Sequence, residues 1–336
     1  MSMTFAEPQA RARPRPDQPG GARAAAARPR VAVLLPCYNE AAAIALVVQG
    51  FREVLPQATV YVFDNNSTDA SARCAAAAGA VVRTVRLQGK GNVVRRMFAD
   101  VDADVYVLAD GDLTYHAPSA PAMVEALLAQ QLDMVVGTRD GGGAAAYRRG
   151  HRFGNRVLTG AMNRIFGGGF TDMLSGYRVF SRRFAKSFPA TSHGFEIETE
   201  LSIHALELRM PCLEVATPYG ARAGDSQSKL NTWSDGLRIL ATIVRLFAVE
   251  RPLRFYGGLA ALLFATAVLL ALPLLPTYLE SGLVPRFPTA ILSTGIAIVG
   301  ALSFVTGLSL ETVTIGRREA RHLHYLACGS DRPAEG

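Results

Sequence analysis

An α/β fold on a mostly parallel sheet, followed by a hairpin of two membrane-crossing helices, is predicted by three features of this 336-residue chain. Short apolar runs alternate with segments of helical period between residues 31 and 136, the pattern of successive β-α-β units with helices on both faces of a sheet. Polar and acidic residues gather just past three of those runs. Two long uncharged apolar stretches lie near the C-terminus.

The elements follow in order. Val31–Pro36 is a short apolar run of the kind that forms a buried parallel strand. A helix is expected from about Ala42 to Leu55, a strand at Tyr61–Phe63, and a helix at Ala70–Ala78 closed by Gly79. Val81–Thr84 reads as the third strand, Gly91–Asp100 as a helix and Val105–Ala109 as the fourth strand. A helix at Ala120–Gln130 and a fifth strand at Met134–Val136 complete the alternation. Residues 144–192 are less regular. A helix at Glu198–Arg209 and a strand near Leu213–Ala216 close the domain. Residues 1–29, rich in Ala, Arg and Pro, hold no apolar stretch and read as a disordered tail.

Phe255–Leu279 and Phe287–Leu310 contain no charge, and each exceeds the ~20 residues needed to cross a hydrocarbon core of ~30 Å. Pro273 and Pro276 predict a kink in the first. Arg245, Arg251 and Arg254 precede the pair, and Arg317, Arg318 and Arg321 follow it, while the connecting loop carries only Arg286 as a basic residue. Basic flanks mark the cytoplasmic side, so both ends and the α/β domain are expected there, as a multi-pass protein of a cell inner membrane. In Trp233–Val249 the residues Leu237, Leu240, Ile243, Val244 and Phe247 recur at helical spacing, which fits an interfacial helix or a core helix of the domain. The expected organisation is a tail (1–29), an α/β domain (30–232), an interfacial helix (233–253), a hairpin (254–312) and a C-terminal cytoplasmic tail (313–336).

A formal net charge of +7 suits anionic partners such as nucleotide phosphates or lipid head groups. Neither zinc-like spacing nor basic residues interleaved with aromatics occurs, so nucleic acid is not an expected partner. The four cysteines, Cys37, Cys74, Cys212 and Cys328, form no Cys-x-x-Cys pair, as in a reduced chain without a disulfide framework. Homo-oligomerisation is left open.

Ligands of open α/β sheets bind beyond the carboxyl ends of the strands. Asn39 and Glu40 follow the first strand, Asp64 closes the second, and Asp110 closes the fourth, so three polar clusters point to one crevice. Asp110-Gly111-Asp112 places two carboxylates where they can hold a hard divalent cation, Mg2+ or Mn2+, against a diphosphate leaving group. The same residues also suit an Asp-Gly turn. In Pro36-Cys-Tyr-Asn-Glu40, Tyr38 is placed to pack near a base and Glu40 to face a ribose or base edge, although Asn39 or Glu40 could equally cap the next helix. In Asp64-Asn-Asn-Ser67-Thr-Asp69, Asp64 is the nucleotide contact and Ser67–Asp69 a helix cap. Arg139, Arg148, Arg149 and Arg152 form a basic set, and Arg222 and Lys229 flank Gly224–Ser228. Guanidinium groups bind phosphate oxygens bidentately, while a solvated basic face is the plainer reading.

These motifs, with Gly89-Lys90-Gly91-Asn92, Gly137-Thr-Arg139, Asp172-Met-Leu-Ser175-Gly176-Tyr177-Arg178 and Ser228-Lys229-Leu230, resemble glycosyltransferase family 2 over about Arg30 to Asn231. Within it they are similar to the polyprenyl-phosphate glycosyltransferases of the dolichol-phosphate mannose synthase type. The resemblance implies an inverting transferase with the nucleotide-sugar-binding GT-A fold. It implies that Pro36, Tyr38, Glu40 and Asp64 hold the nucleoside, and that Lys90, Asp110 and Asp112 serve the donor diphosphate and metal. Arg139 and Arg222 match basic positions near the donor or acceptor phosphate. Arg152 is a looser match, grouped with Arg222 and Lys229 for the acceptor phosphate. Asp112, Arg139 and Arg222 are the expected catalytic residues. Two departures stand out: Asp64 is followed by Asn65-Asn66 where relatives often have Asp-Gly, and Thr114 stands where mannose synthases often have glutamine. The Gln-x-x-Arg-Trp element of processive synthases is missing, which favours a single transfer.

The expected activity is therefore transfer of one hexose or N-acetylhexosamine from a UDP- or GDP-linked donor to a polyprenyl phosphate at the cytoplasmic membrane face. Extension of another lipid or lipid-linked saccharide is the alternative within enzymes. A non-catalytic membrane anchor that binds nucleotide sugars is the alternative outside them.

Overall fold

The computed structural model describes residues 28–140, 159–192, 194, 196–220 and 232–328. The strands are β1 (Val31–Cys37), β2 (Thr59–Asp64), β3 (Val81–Thr84), β4 (Val105–Leu108), β5 (Met134–Asp140), β6 (Arg178–Ser181) and β7 (Cys212–Pro218). The helices of the α/β domain are α1 (Ile44–Val54), α2 (Ser71–Ala77), α3 (Lys90–Asp100), α4 (Ala120–Ala129), α5 (described over 159–166), α6 (Arg182–Ser187) and α7 (Ile197–Glu207). Beyond them lie α8 (Thr232–Glu250), α9 (Pro252–Ala271), α10 (Leu274–Ser281) and α11 (Phe287–Ala327).

Among the described residues the strands form one sheet in the order β3-β2-β1-β4-β6-β5-β7. The first four run parallel, and β5 is parallel to β7. β6 is antiparallel to both β4 and β5. The sequence pattern reads a mostly parallel sheet and takes residues 144–192 as less regular. Within that region the structure adds β6, only four residues long, which slots between β4 and β5. Its run is too short to carry a periodic signal, and only pairing on both sides makes it a strand.

Strands buried on both faces explain the unbroken apolar runs. Ala32 and Leu34 face a core completed by Val94, Met97 and Phe98 of α3, Phe184 of α6 and Leu201 of α7. Val33 and Leu35 face the opposite core, with Val48 and Phe51 of α1 and Met123 and Leu127 of α4. Because β1, β2, β4 and β5 point the same way, their carboxyl ends share one edge of the sheet.

α9 and α11 are long and apolar enough to cross a membrane and pack as an antiparallel pair. The buried residues of α11, Ser293, Gly300, Gly307 and Thr314, recur every seventh position and meet Pro252, Ala260 and Ala267 of α9. Small residues at that period let the backbones approach closely. A Cβ on Gly307 would lie 3.0 Å from that of Tyr256, and Ser293 Oγ donates to Ala267 O at 2.9 Å. The outward faces are apolar and bare: Leu269 is 69% exposed and Leu302 61%. The expected kink is a full break, α9 ending at Ala271 and α10 restarting after Pro273. α11 does not stop where its apolar stretch ends. It continues as helix to Ala327, through most of the segment expected to be a tail.

α8 is two-faced. Ile243 is buried against the domain core and Leu246 packs beside it, while Leu237, Leu240 and Val244 are exposed.

Candidate active site

The loop after β1 is locked to the loop after β2. Asn39 N donates to Ser67 Oγ (2.9 Å), Glu40 N to Ser71 Oγ (2.7 Å), Ala41 N to Asp69 Oδ2 (3.1 Å), and Thr68 N to Asn39 Oδ1 (2.8 Å). The cap expected from Asn39 or Glu40 does not form: α1 begins after Ala43 without a side-chain cap, and Asn39 Oδ1 joins the two loops instead. In the second loop Asp69 Oδ1 accepts from Ser71 N (2.9 Å), the first residue of α2, so a side chain of Ser67–Asp69 does close the N-terminus of that helix. Asp64 ends β2 beneath them. It is 6% exposed, its Oδ2 accepts from Ser67 N (3.3 Å), and its Oδ1 is buried with no hydrogen-bond partner among the described residues. A buried carboxylate oxygen left unsatisfied is costly, and a ligand N–H is the group that would satisfy it.

Asn65 accounts for the first departure from the family pattern. Its amide donates to Val85 O and Leu87 O, both at 2.8 Å, and its Oδ1 accepts from Gly89 N (2.8 Å). The asparagine thus clamps the loop that delivers Lys90. The Lys90 ammonium lies 2.5 Å from Asp110 Oδ1 and 2.6 Å from Glu198 Oε1. Burial alone would lower the lysine pKa, but the two carboxylates outweigh it and hold it above the ordinary range. Glu198 Oε2 is buried and without a hydrogen-bond partner among the described residues. Gly176 completes the floor: a Cβ there would lie 3.0 Å from Lys90 Nζ, 3.1 Å from Asp110 Oδ2 and 3.3 Å from the Tyr115 hydroxyl.

Asp110-Gly111-Asp112 follows β4 as expected. Gly111 admits no side chain, since a Cβ would lie 3.1 Å from Ile44 Cδ1 and 3.2 Å from Pro36 O. Asp112 is buried, and its Oδ1 accepts from the Thr114 hydroxyl (2.6 Å) and amide (3.2 Å). Thr114, the second departure, therefore orients the carboxylate from behind. Leu113, between them, sits at φ 64°, as Asn39 (53°) and Asn66 (62°) do in the neighbouring loops. Asparagine tolerates that region, whereas leucine is strained there, and such strain clusters at functional sites.

Mg2+ or Mn2+ fits this donor set. Among the described residues no three acidic, His or Cys side chains converge on one point. Mg2+ is commonly held by one or two carboxylates together with substrate phosphates and water, so Asp112 with Asp110 Oδ2 suffices on the protein's side.

Arg139, at the carboxyl end of β5, shares the edge but is already engaged. Its Nε and Nη2 lie 2.7 and 2.6 Å from the two Asp172 oxygens, and its guanidinium lies 5.7 Å from the Tyr219 ring centre. Asp172 N and Thr171 N in turn donate to Glu214. Arg178 is fully buried, donating to the carbonyls of Met173, Ser175 and Glu198, and so ties the Asp172–Tyr177 loop to α7. Pro36, Tyr38, Glu40, Asp64, Lys90, Asp110 and Asp112 thus meet at one edge. Arg152, Arg222 and Lys229 lie outside the described residues. Sequence reasoning missed Glu198, and it quoted Asp172 only within a motif, without a role in the site. The one available signal for Glu198 was the close spacing of Glu196, Glu198 and Glu200 among apolar residues. A cavity of about 230 Å³, lined by Glu200, His204, Arg245 and Arg321 among others, opens beside α7 rather than among these strand ends, so convergence and the orphaned Asp64 oxygen identify the site.

Residues 32–188 match the family model for glycosyl transferase family 2. Glycosyltransferase AglJ of Haloferax volcanii is 36% identical over 244 residues, 72% of this chain and 80% of that protein. Protein RfbJ of Shigella flexneri is 58% identical over 123 residues, 36% of this chain and 95% of that one. Glucosyl-3-phosphoglycerate synthase of Mycobacterium tuberculosis, solved with Mn2+, uridine-diphosphate and phosphoglyceric acid, superposes with a TM-score of 0.56 at 25% identity, covering 66% of this chain and 79% of its own. With its acidic crevice at the strand ends and these relatives, the chain is a glycosyltransferase and belongs to glycosyl transferase family 2.

Proposed function

We propose that the chain transfers a single sugar, with inversion, from a nucleoside-diphosphate sugar to a polyprenyl phosphate at the cytoplasmic face of a membrane. One observation carries the lipid acceptor: the nucleotide-sugar domain runs directly into α8, with Leu237, Leu240 and Val244 bare, and then into the bare apolar pair α9 and α11. A domain so joined to apolar surface meets its acceptor at a membrane.

Each residue has a role in this reading. Asp64 Oδ1 accepts a ring N–H of the base, Tyr38 packs on it, Pro36 shapes the floor and Glu40 faces the ribose. Lys90 keeps Asp110 and Glu198 in register beside the diphosphate. Asp112, with Asp110, would hold a divalent cation, which when bound would neutralise charge on the departing diphosphate. The acceptor phosphate is already an anion at neutral pH and needs no strong base. Its oxygen forms the new bond to the anomeric carbon as the bond to the diphosphate oxygen breaks on the opposite face. Arg222, Lys229 and Arg152 hold the acceptor phosphate, and Arg139, anchored by Asp172, faces the charge that develops.

A panel of UDP- and GDP-linked sugars, labelled in the sugar, tests this with the full chain and one polyprenyl phosphate in vesicles. Label is expected in the lipid fraction and is released by mild acid, since a glycosyl phosphate is labile. Acid-stable lipid label would replace the acceptor with a lipid hydroxyl or saccharide. No lipid label with any donor would overturn the reading.

A further inference from the structure

We propose that the part of α11 beyond its apolar stretch is a strut that sets how the catalytic domain stands on the membrane, and so positions the donor crevice against an acceptor held in the bilayer. The second half of this inference rests on the lipid-acceptor reading above. The first half rests on the packing of α11 and on the reading of α9 and α11 as membrane-spanning. The 41 residues of α11 make a helix of about 61 Å, roughly twice the ~30 Å of a hydrocarbon core. Charge begins at Glu311, and from there the helix leans on the domain.

Near the apolar stretch it gathers the junction between α8 and α9. Glu311 Oε2 accepts from Leu253 N (3.1 Å), at the start of α9. Val249 O, at the end of α8, accepts from the Thr314 hydroxyl and from Arg317, both at 3.0 Å, and Glu250 O accepts from Arg318. One turn further, two buried carboxylates take their counter-ions from α11. Glu207 of α7, with 1% of its side chain exposed, lies 2.5 Å from Arg318 and 3.1 Å from Arg251. Glu250 of α8, 4% exposed, lies 3.1 Å from Arg321 and 3.6 Å from Arg317. At the far end the Tyr325 hydroxyl donates to Asp133 (2.6 Å) just before β5, Arg183 lies 5.2 Å from the Tyr325 ring centre, and His324 Nε2 is 3.1 Å from Lys186 O.

Two attachments do what one cannot. The covalent link between α8 and α9 is the single residue Arg251, which alone would be a hinge. The second attachment, through Glu207, Glu250 and Asp133, removes that freedom. Breaking a buried carboxylate–guanidinium pair is costly, so the strut is part of the domain's own packing and not a surface latch.

The test uses the full chain in phosphatidylcholine vesicles with a headgroup acceptor dye and a donor dye at Leu128→Cys, an exposed α4 position, in a background without the native cysteines. A chain ending at Gly316 is expected to change transfer efficiency between the dyes, because the domain now samples other attitudes. It is also expected to lose about tenfold or more of its rate on a bilayer-held polyprenyl phosphate through a raised acceptor KM, while donor KM and the rate on a water-soluble short-chain prenyl phosphate stay within about twofold. Tyr325→Ala, which loosens only the far end and keeps both buried carboxylates paired, is expected to shift both readouts the same way by less. It decides the matter if the shortened chain does not fold. Unchanged dye transfer in both variants, or equal loss on both acceptors, overturns the strut. A parent chain that glycosylates neither acceptor would overturn the lipid-phosphate reading, and the dye measurement would still judge the strut.

Discussion

Among the described residues Lys90 is the cation that bridges Asp110 and Glu198, and replacing it with methionine removes that charge. The three side chains are 8%, 30% and 6% exposed respectively. Losing one partner of a buried ion pair costs about 3–5 kcal/mol, because the remaining charge is left unpaired. Water reaches Asp110 more readily than Glu198, so the loss should fall near the lower end, about 3 kcal/mol. For a domain of this size that corresponds to roughly 6–12 °C in Tm. Thermal unfolding of the full chain in detergent would compare the parent, Lys90→Met, Glu198→Gln and the double variant. Glu198→Gln should restore part of the loss in the Lys90→Met background, giving a coupling of about 0.5–3 kcal/mol. Turnover should fall in every variant lacking the ammonium, as Asp110 loses its orientation. A Lys90→Met chain that melts within about 1 °C of the parent and turns over normally would refute the reasoning, since a change that small is under 1 kcal/mol.

Three further outcomes follow from the site and its surroundings. Asp112→Asn should abolish turnover, and chelator should do the same to the parent; full activity in excess chelator would remove the metal from the reaction. Burial beside Phe184 and Phe188 holds the His204 imidazole down to about 3, so between that value and the ordinary ~6.5 only the unfolded chain takes up the proton. Stability should therefore fall as pH drops through that window, by up to about 1.4 kcal/mol per pH unit, and His204→Leu should flatten the Tm profile there; an unchanged slope would count against it. On the proposed acceptor-binding role of Arg222, Arg222→Lys should lower turnover about tenfold, roughly 1.4 kcal/mol of barrier, with membrane association unchanged, because lysine lacks the planar fork that a bidentate phosphate contact needs. Near-normal turnover would make Arg222 a surface charge.

Much of the fold and crevice is legible in the chain because it depends on local pattern. Runs such as Val31–Cys37 and Val105–Leu108 are apolar on both faces, as strands in the middle of a sheet are, and their shared direction carries Glu40, Asp64, Asp110 and Asp112 to one edge. The two uncharged stretches likewise announce a hairpin by length alone. Contacts between residues distant in sequence are what tertiary structure decided. β6 exists because β4 and β5 offer it partners, not because four residues prefer extended backbone. Asn65 departs from the family pattern in sequence, but in the fold its amide grips Val85 O and Leu87 O and so delivers Lys90. Lys90 meets Glu198, and Arg139 meets Asp172, only when α7 and the loop before β6 fold against the sheet. The arginines after residue 316 mark membrane orientation when read as sequence, yet in the folded chain they neutralise Glu207 and Glu250. Charge can be counted along a chain, but the burial that makes a carboxylate require a particular arginine arises only when the helices pack.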